Sequence, residues 1–537
     1  MSALLGWLAE GTPQRWLTVA AVLLSLGMIG GLVALVVQVS ATAFWPHRVF
    51  ELELADGSRL LGEEAGRSLD PLSPGRERVR MKVGNRDLDP ADFRWVRDSQ
   101  VTDRRVPADA WLLERREYGP FYGYAQRLVL VDRTVEATAG DLRGELGRAL
   151  AASAALVREE RRLFTRVAAL HEPVVEYDTR IVSARRRGEP TENLGARREA
   201  AAALERESAA PLLAELTALR ARLEQGALEL STADGETHAV PLAKIVRAAP
   251  VNALSPAGKL VLYAARWAEF IGGEPRESNT EGGIFPAIFG TALMVMLMTL
   301  VVVPFGVITA VYLNEYARDN LFTKAIRLAL ANLAGVPSIV FGAFGLAFFV
   351  WTLGGAIDRL LFSDVLPTPT FGTGGILWAS LTLALLTVPV VVVATEEGLQ
   401  SVPQAVRDGA RALGATRWQT LRRVVLPYAT PGILTGAILA VARAAGEVAP
   451  LMLVGVVKLA PSLPVDGNFP FVHLERKFMH LGFHIYDVGF QSPNVEAARP
   501  LVYATALLLV IIIVVLNLFA INLRNRLREK LRGLEGV

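Results

Sequence analysis

Six apolar stretches, each long enough or nearly so for a helix to cross the hydrocarbon core of a bilayer, decide what this chain can become. They cover residues 16–39, 286–313, 326–351, 376–395, 433–457 and 501–523. Ala41-Thr42-Ala43 imitates a signal-peptide cleavage site, but the apolar run before it exceeds the ~7–15 residues of a signal core. An uncleaved first span is therefore expected. Pro304, Pro337, Pro389 and Pro450 interrupt the later stretches. Broken helices persist in lipid where neighbouring protein or a watery path satisfies the freed backbone groups, which favours a conducting protein over a plain anchor.

Charge is segregated along the chain. Residues 40–285 carry 74 charges (36 basic, 38 acidic), whereas residues 286–537 carry 33, so one large polar domain is inserted after the first span. A net charge of +3 without a dense basic patch argues against nucleic-acid binding. With no cysteine there is neither a disulfide framework nor a thiolate metal site. Short-loop lysines and arginines set the orientation. If residues 1–15 are cytoplasmic, so are Arg318, Lys324 and Arg327, the arginines at 407, 411, 417, 422 and 423, and the basic tail 524–537. The opposite short loop, between the third and fourth spans, has only Arg359, while the 458–500 loop with four basic residues weakens the contrast without reversing it. Both ends are expected inside and residues 40–285 outside.

The outer domain is expected to be α+β. Phe50 to Leu54 alternate with period two before an Asp56-Gly57 turn, and Val79, Met81 and Val83 alternate with basic residues. Residues 127–135 read as one further strand. Residues 141–228 change to a helical pattern broken at Arg187-Gly188-Glu189-Pro190, predicting an antiparallel helical hairpin. A second Asp-Gly pair at Asp234-Gly235 suggests that the first and last hairpins belong to one small β unit. The run Arg185-Arg186-Arg187 reads as a solvated face, and the hairpin as either an inert coiled coil or a docking arm.

Between the fourth and fifth spans, in loop 396–430, Val402, Val406, Ala410 and Leu413 recur at helical spacing with Arg407 and Arg411 beside them, and Gly414 can end the helix. Such a helix suits either the headgroup layer or a groove in a soluble partner. Asp408-Gly409-Ala410, three residues, Gly414, nine residues and Val424-Val425-Leu426-Pro427 resemble the EAA loop of ABC importer permeases. That pattern reads Glu-Ala-Ala, three residues, Gly, nine residues, Ile-x-Leu-Pro. Asp408 keeps the charge, whereas Gly409 replaces an alanine and loosens the helix by about 1 kcal/mol. Asn314-Glu315-Tyr316-Ala317, the segments 336–342 and 411–418, and Ala442 to Pro450 are similar to PstA-type permease subunits of phosphate-specific ABC importers. The likeness covers residues 279–525 and the first span, and residues 40–278 resemble the extension of a longer branch.

The resemblance implies a six-helix type I ABC importer permease in the bacterial inner membrane, with a five-helix core at 286–523 after the first helix at 16–39. Its implied partners are a PstC-type permease, two copies of a PstB-type ATPase and a PstS-type periplasmic phosphate-binding protein. Val406, Arg407, Asp408, Gly409, Ala410, Leu413, Gly414, Leu426 and Pro427 would couple to the ATPase. ATP and Mg would be held there, with no cofactor on this chain. In agreement, no Gly-x4-Gly-Lys-Ser/Thr occurs; the lone Gly258-Lys259 is followed by leucine.

Arg443 and Glu447 fall within the fifth apolar stretch, four residues apart, where a charge costs roughly 2.5–3.5 kcal/mol and marks a pathway or a partner. They could be a mutually neutralised pair that fixes packing, or a cationic stepping stone for an anion with a carboxylate that prevents overtight binding. In the resembling permeases the matching pair is implicated in phosphate passage. A permease for sulfate or molybdate, or a membrane-anchored sensor, are the competing functions. His480 and His484 are one helical turn apart, with His473 upstream, but the apolar residues around them favour an amphipathic surface helix over a metal site.

Overall fold

The computed structural model describes residues 12–71, 75–137, 141–467, 469–492 and 495–532. Residues 1–11 and 533–537 of the expected cytoplasmic ends lie outside the described residues. The chain divides into two units, residues 45–283 with 358–369, and 1–44 with 284–357 and 370–537.

After α1 (Thr12–Ala43), the polar unit opens with β1 (Val49–Leu54), β2 (Arg59–Leu69), β3 (Glu77–Lys82), β4 (Phe93–Arg97) and β5 (Val101–Arg105). They form an antiparallel sheet in the order β4-β3-β2-β1-β5. At its first turn Gly57 takes φ +85°, and the Ser58 amide and hydroxyl both donate to Asp56 Oδ1. A second sheet is built from β6 (Ala110–Arg115), β7 (Phe121–Val129) and β8 (Thr134–Glu136). It is completed, beyond the hairpin α2 (Leu142–Arg187) and α3 (Glu192–Glu224), by β9 (Ala227–Ser231), β10 (Thr237–Pro241) and β11 (Ile245–Ala249). Its order is β10-β9-β7-β6-β11, with β8 on β7.

One strand expectation is corrected here and another refined. The Asp-Gly hairpins lie in different sheets of the same compact unit, and the Arg59 amide donates to Asp234 Oδ1 between them. Residues 127–135 form not one strand but the β7–β8 hairpin, turned by Val131-Asp132 with Leu130 N–H donating to Arg133 O. The helical hairpin is present; Leu163, Leu216 and Leu219 are buried between its arms. Next, α4 (Pro256–Gly272) starts at Ser255, whose hydroxyl accepts the Gly258 amide. Glu114 on β6 pairs with Arg247 and Arg266, and Glu269 on α4 with Arg247 and Arg276, a charge network that pins α4 to the second sheet.

The apolar unit contains α5 (Phe285–Val311), α6 (Leu321–Leu333), α7 (Ser338–Phe344), α8 (Gly355–Leu361, ending in the polar unit) and α9 (Ile376–Gln400). It continues with α10 (Gln404–Ala412), α11 (Arg417–Thr420), α12 (Leu426–Gly446), α13 (Ala449–Val454), α14 (Leu481–Tyr486) and α15 (Val495–Arg532). Several are joined by π-helical turns. Six helical segments are long and apolar enough to cross a membrane: Arg15–Ala43, Phe285–Tyr316, Ser338–Leu361, Ile376–Gln400, Arg417–Gly446 and Ala498–Arg526. The fourth is central, packed on α5 and α12, with 67% of its most apolar window buried against 0% for the first.

The third and fifth spans differ from expectation. Residues 326–333 belong to the separate helix α6, capped by Asn320, whose side chain accepts the Thr323 amide. The third span starts only after Gly335-Val336-Pro337, since proline disfavours helix in the residue before it. The fifth span starts earlier and ends at Gly446, with Glu447 extended and α13 beginning beyond it. His480 and His484 do not lie on a surface helix: both are buried, His480 capping α14 through the Gly482 amide and His484 contacting Thr505. Burial follows from packing of α14 on α15 and of Leu481 N–H on Thr291, which single-helix periodicity does not report.

Candidate coupling and translocation site

The loop helix α10 is short, and its end is set by backbone chemistry. Gly414 takes φ +85°, its amide donates to Arg411 O, and the Ala415 amide donates to Ala410 O, the paired bonds of a Schellman cap. Val402, which precedes the helix, joins Leu399, Leu421 and Val425 in a buried cluster with Ala310, Leu313, Val392 and Ala429. The expected apolar stripe does not continue along α10. Val406 and Ala410 are half-buried, but Leu413 is 90% exposed. Asp408 and Gly409 also face outward, Asp408 receiving a hydrogen bond from Gln404.

Arg407 goes the other way. It is buried, ion-paired with Glu315 at the end of the second span, and donates to Leu399 O at 2.6 Å. It is therefore a tie between α10 and two spans rather than part of an outward face. A parallel tie runs through Arg327 on α6, which pairs with Glu396 at 3.1 Å and donates to Leu313 O. Glu315 and Glu396 are not among the site residues expected from the sequence. Their sequence signal is an acid at the end of an apolar span facing a basic loop, but the partner of Glu315 is 92 residues away. Leu426 and Pro427 open α12 and are half-buried.

From this end α12 runs against α9 at glycine-to-glycine distance. A side chain built on Gly432 would start 2.6 Å from the Gly398 Cα, which excludes one there, and a Cβ on Gly398 would stand only 3.0 Å from the Ala429 carbonyl. At the far end of α12, Gly436, Ala440, Ala444 and Ala445 are buried while Arg443 keeps 35% of its side chain exposed. Glu447 is not on the same helix face, as its backbone has left the helix, yet its carboxylate remains 3.7 Å from Arg443 Nε. That distance allows Coulombic attraction but is too long for a hydrogen bond. Among the described residues the guanidinium has no other ion-pair partner. The described residues contain no group of three or more metal-ligating side chains.

The family model for the inner-membrane component of binding-protein-dependent transport systems matches residues 302–533. The phosphate transport system permease PstA of Mycobacterium leprae (strain TN) is 36% identical over 45% of this chain and 71% of its own length. The probable ABC transporter permease YqgI of Bacillus subtilis (strain 168) is 33% identical over 47% and 80%. A probable phosphate permease PstA of Methanocaldococcus jannaschii is 30% identical over 47% and 79%. The chain belongs to the PstA-type ABC importer permeases. It is a multi-pass membrane protein of type I permease fold, a transport subunit and not an enzyme, and such permeases work with ATPase and binding-protein partners. The family-model match takes in both ends of α12, the tied loop and the half-exposed arginine.

Proposed function

We propose that this chain is one half of the channel of an ATP-driven inorganic phosphate importer. It would work with a PstC-type permease, two PstB-type ATPases that hold ATP and Mg, and a PstS-type binding protein. The reading is carried by the likeness of its core to permeases named for phosphate transport. The distribution of loop lysines and arginines supports termini on the inner side and residues 40–285 on the outer side of a bacterial inner membrane. Nucleotide-driven movement of the ATPases enters through Asp408, Gly409 and Leu413. Arg407–Glu315 and the Gly398–Gly432 contact carry it into the second, fourth and fifth spans. Arg443 meets the anion with its forked donors, and Glu447 limits the residence time.

A single arginine does not discriminate among tetrahedral oxyanions. The test is ATP-dependent uptake of labelled phosphate into vesicles holding the whole complex, challenged with excess unlabelled phosphate, sulfate or molybdate. Phosphate alone should compete. Equal competition by sulfate or molybdate would replace phosphate with a broader oxyanion substrate.

A further inference from the structure

The α2–α3 hairpin ends where an isolated hairpin would be bathed in water, yet Ser183 is 3% and Ala184 1% exposed. The cover is residues 358–369, the last turn of the third span and the start of its link to the fourth, which belong to the same compact unit as the hairpin. Ser183 Oγ donates to Asp364 Oδ1 at 2.8 Å, and Arg187 Nη2 lies 3.1 Å from the same oxygen. Arg186 Nη1 donates to the Leu366 carbonyl at 2.6 Å. Two arginines of the run expected to be a solvated face are therefore engaged. The tip that presents them is rigid: Gly188 at φ +70° closes α2 with its amide on Arg185 O and the Glu189 amide on Ala184 O. Topology agrees, because residues 45–283 follow one span and residues 358–369 follow three, which puts both on one side of a bilayer.

We infer that the hairpin tip is a reversible latch on the loop between the third and fourth spans. This rests on the reading of the chain as a permease driven by an ATPase. The contact is polar, and the Arg187–Asp364 pair is about half exposed on both sides, so water competes for it and it can open at small cost. A permanent seam would be built on buried apolar area instead. The tip lies at the end of a 46-residue helix about 69 Å long, so a small tilt where the hairpin meets its sheet displaces the tip by several ångströms. The latch is closed in the nucleotide-free complex and opens when the ATPases engage ATP.

The chain has no cysteine, so introduced thiols are its only ones. Glu189→Cys with Ser363→Cys leaves Ser183, Arg186, Arg187 and Asp364 in place. The whole complex is treated with a short thiol-to-thiol cross-linker, nucleotide-free or trapped with ATP and vanadate, and the joined peptide pair is measured by mass spectrometry. Most chains should be linked without nucleotide, at least threefold fewer in the trapped state. Adding Asp364→Asn should lower the nucleotide-free yield toward the trapped level. Equal yields in the two states, no link in either, or indifference to Asp364→Asn would overturn the latch. These readouts need no phosphate. A wrong substrate would show separately, as absent phosphate stimulation of ATP hydrolysis with the nucleotide-dependent yield change intact.

Discussion

Arg407 of the loop helix is ion-paired with Glu315 at the C-terminal end of the second span, and both side chains are largely withdrawn from solvent. Removing one partner leaves the other charge buried and uncompensated, which costs roughly 3–5 kcal/mol when a buried pair is broken. Glu315→Gln should lower the melting temperature of the purified complex and separate ATP hydrolysis from uptake. Exchanging the two charges should recover part of the stability. Unchanged melting in Glu315→Gln would show that the pair does not anchor the helix.

Gly409 has helical backbone, faces outward and has no atom within 4 Å of where a Cβ would stand. Gly409→Ala should stabilise α10 by about 1 kcal/mol and bring the sequence nearer the EAA pattern. Slower amide exchange across residues 404–412 is the measurement, with association to the ATPase unchanged or tighter.

Overpacking is the expected fate of Gly432→Leu. The nearest atom is the Gly398 backbone, which cannot turn aside as a flexible side chain could. A loss of about 1–3 kcal/mol is anticipated, read as reduced yield of assembled complex. Gly446→Ala, where nothing stands within 4 Å, is the control and should assemble normally.

For the anion route the informative change is Arg443→Gln. Uptake should be abolished while assembly and ATPase docking persist, because among the described residues Arg443 has no tie to the rest of the chain beyond the loose contact with Glu447. Arg443→Lys should retain a fraction of the rate, having the charge but not the fork. Near-normal phosphate uptake by Arg443→Gln at normal complex levels would remove the arginine from the pathway.

The pH dependence of the polar unit should carry the mark of Glu114. Burial pushes its carboxyl up, but Arg266 and Arg247 outweigh burial and hold it below the ordinary 4.5. The folded value is lower than the unfolded one, so its stabilising contribution is complete above about pH 4.5 and is lost as pH falls through the depressed value. Glu114→Gln should give an outer unit that is less stable at neutral pH and whose unfolding is less sensitive to acid below that point.

Much of this architecture is legible in the chain because its strongest signals are local. A run of about twenty apolar residues, an Asp-Gly turn or a Gly414 cap needs no knowledge of the rest of the molecule. What escaped is set by distant partners. Arg407 reads as a surface charge until Glu315 is brought to it. His480 and His484 read as a surface pair until α15 covers them. The fifth span reads as continuous because Gly446, Glu447 and Val448 do not interrupt hydropathy, although the backbone departs from helix at Glu447. The Ser183–Asp364 contact joins positions 181 residues apart, beyond any periodicity.

The departure at Glu447 leaves two rods, the fifth span ending at Gly446 and the short α13 beyond it. The longer rod starts beside the tied loop and carries Arg443 close to its other end. The shorter rod presses Pro450 onto Gly342 of the third span, leaving no room for a methyl group between them. A push on the tied loop therefore need not be transmitted past the break at Glu447. It can re-aim one guanidinium relative to the carboxylate at the joint, turning a centimetre-scale metaphor of gates and doors into a change of a few ångströms between two opposite charges.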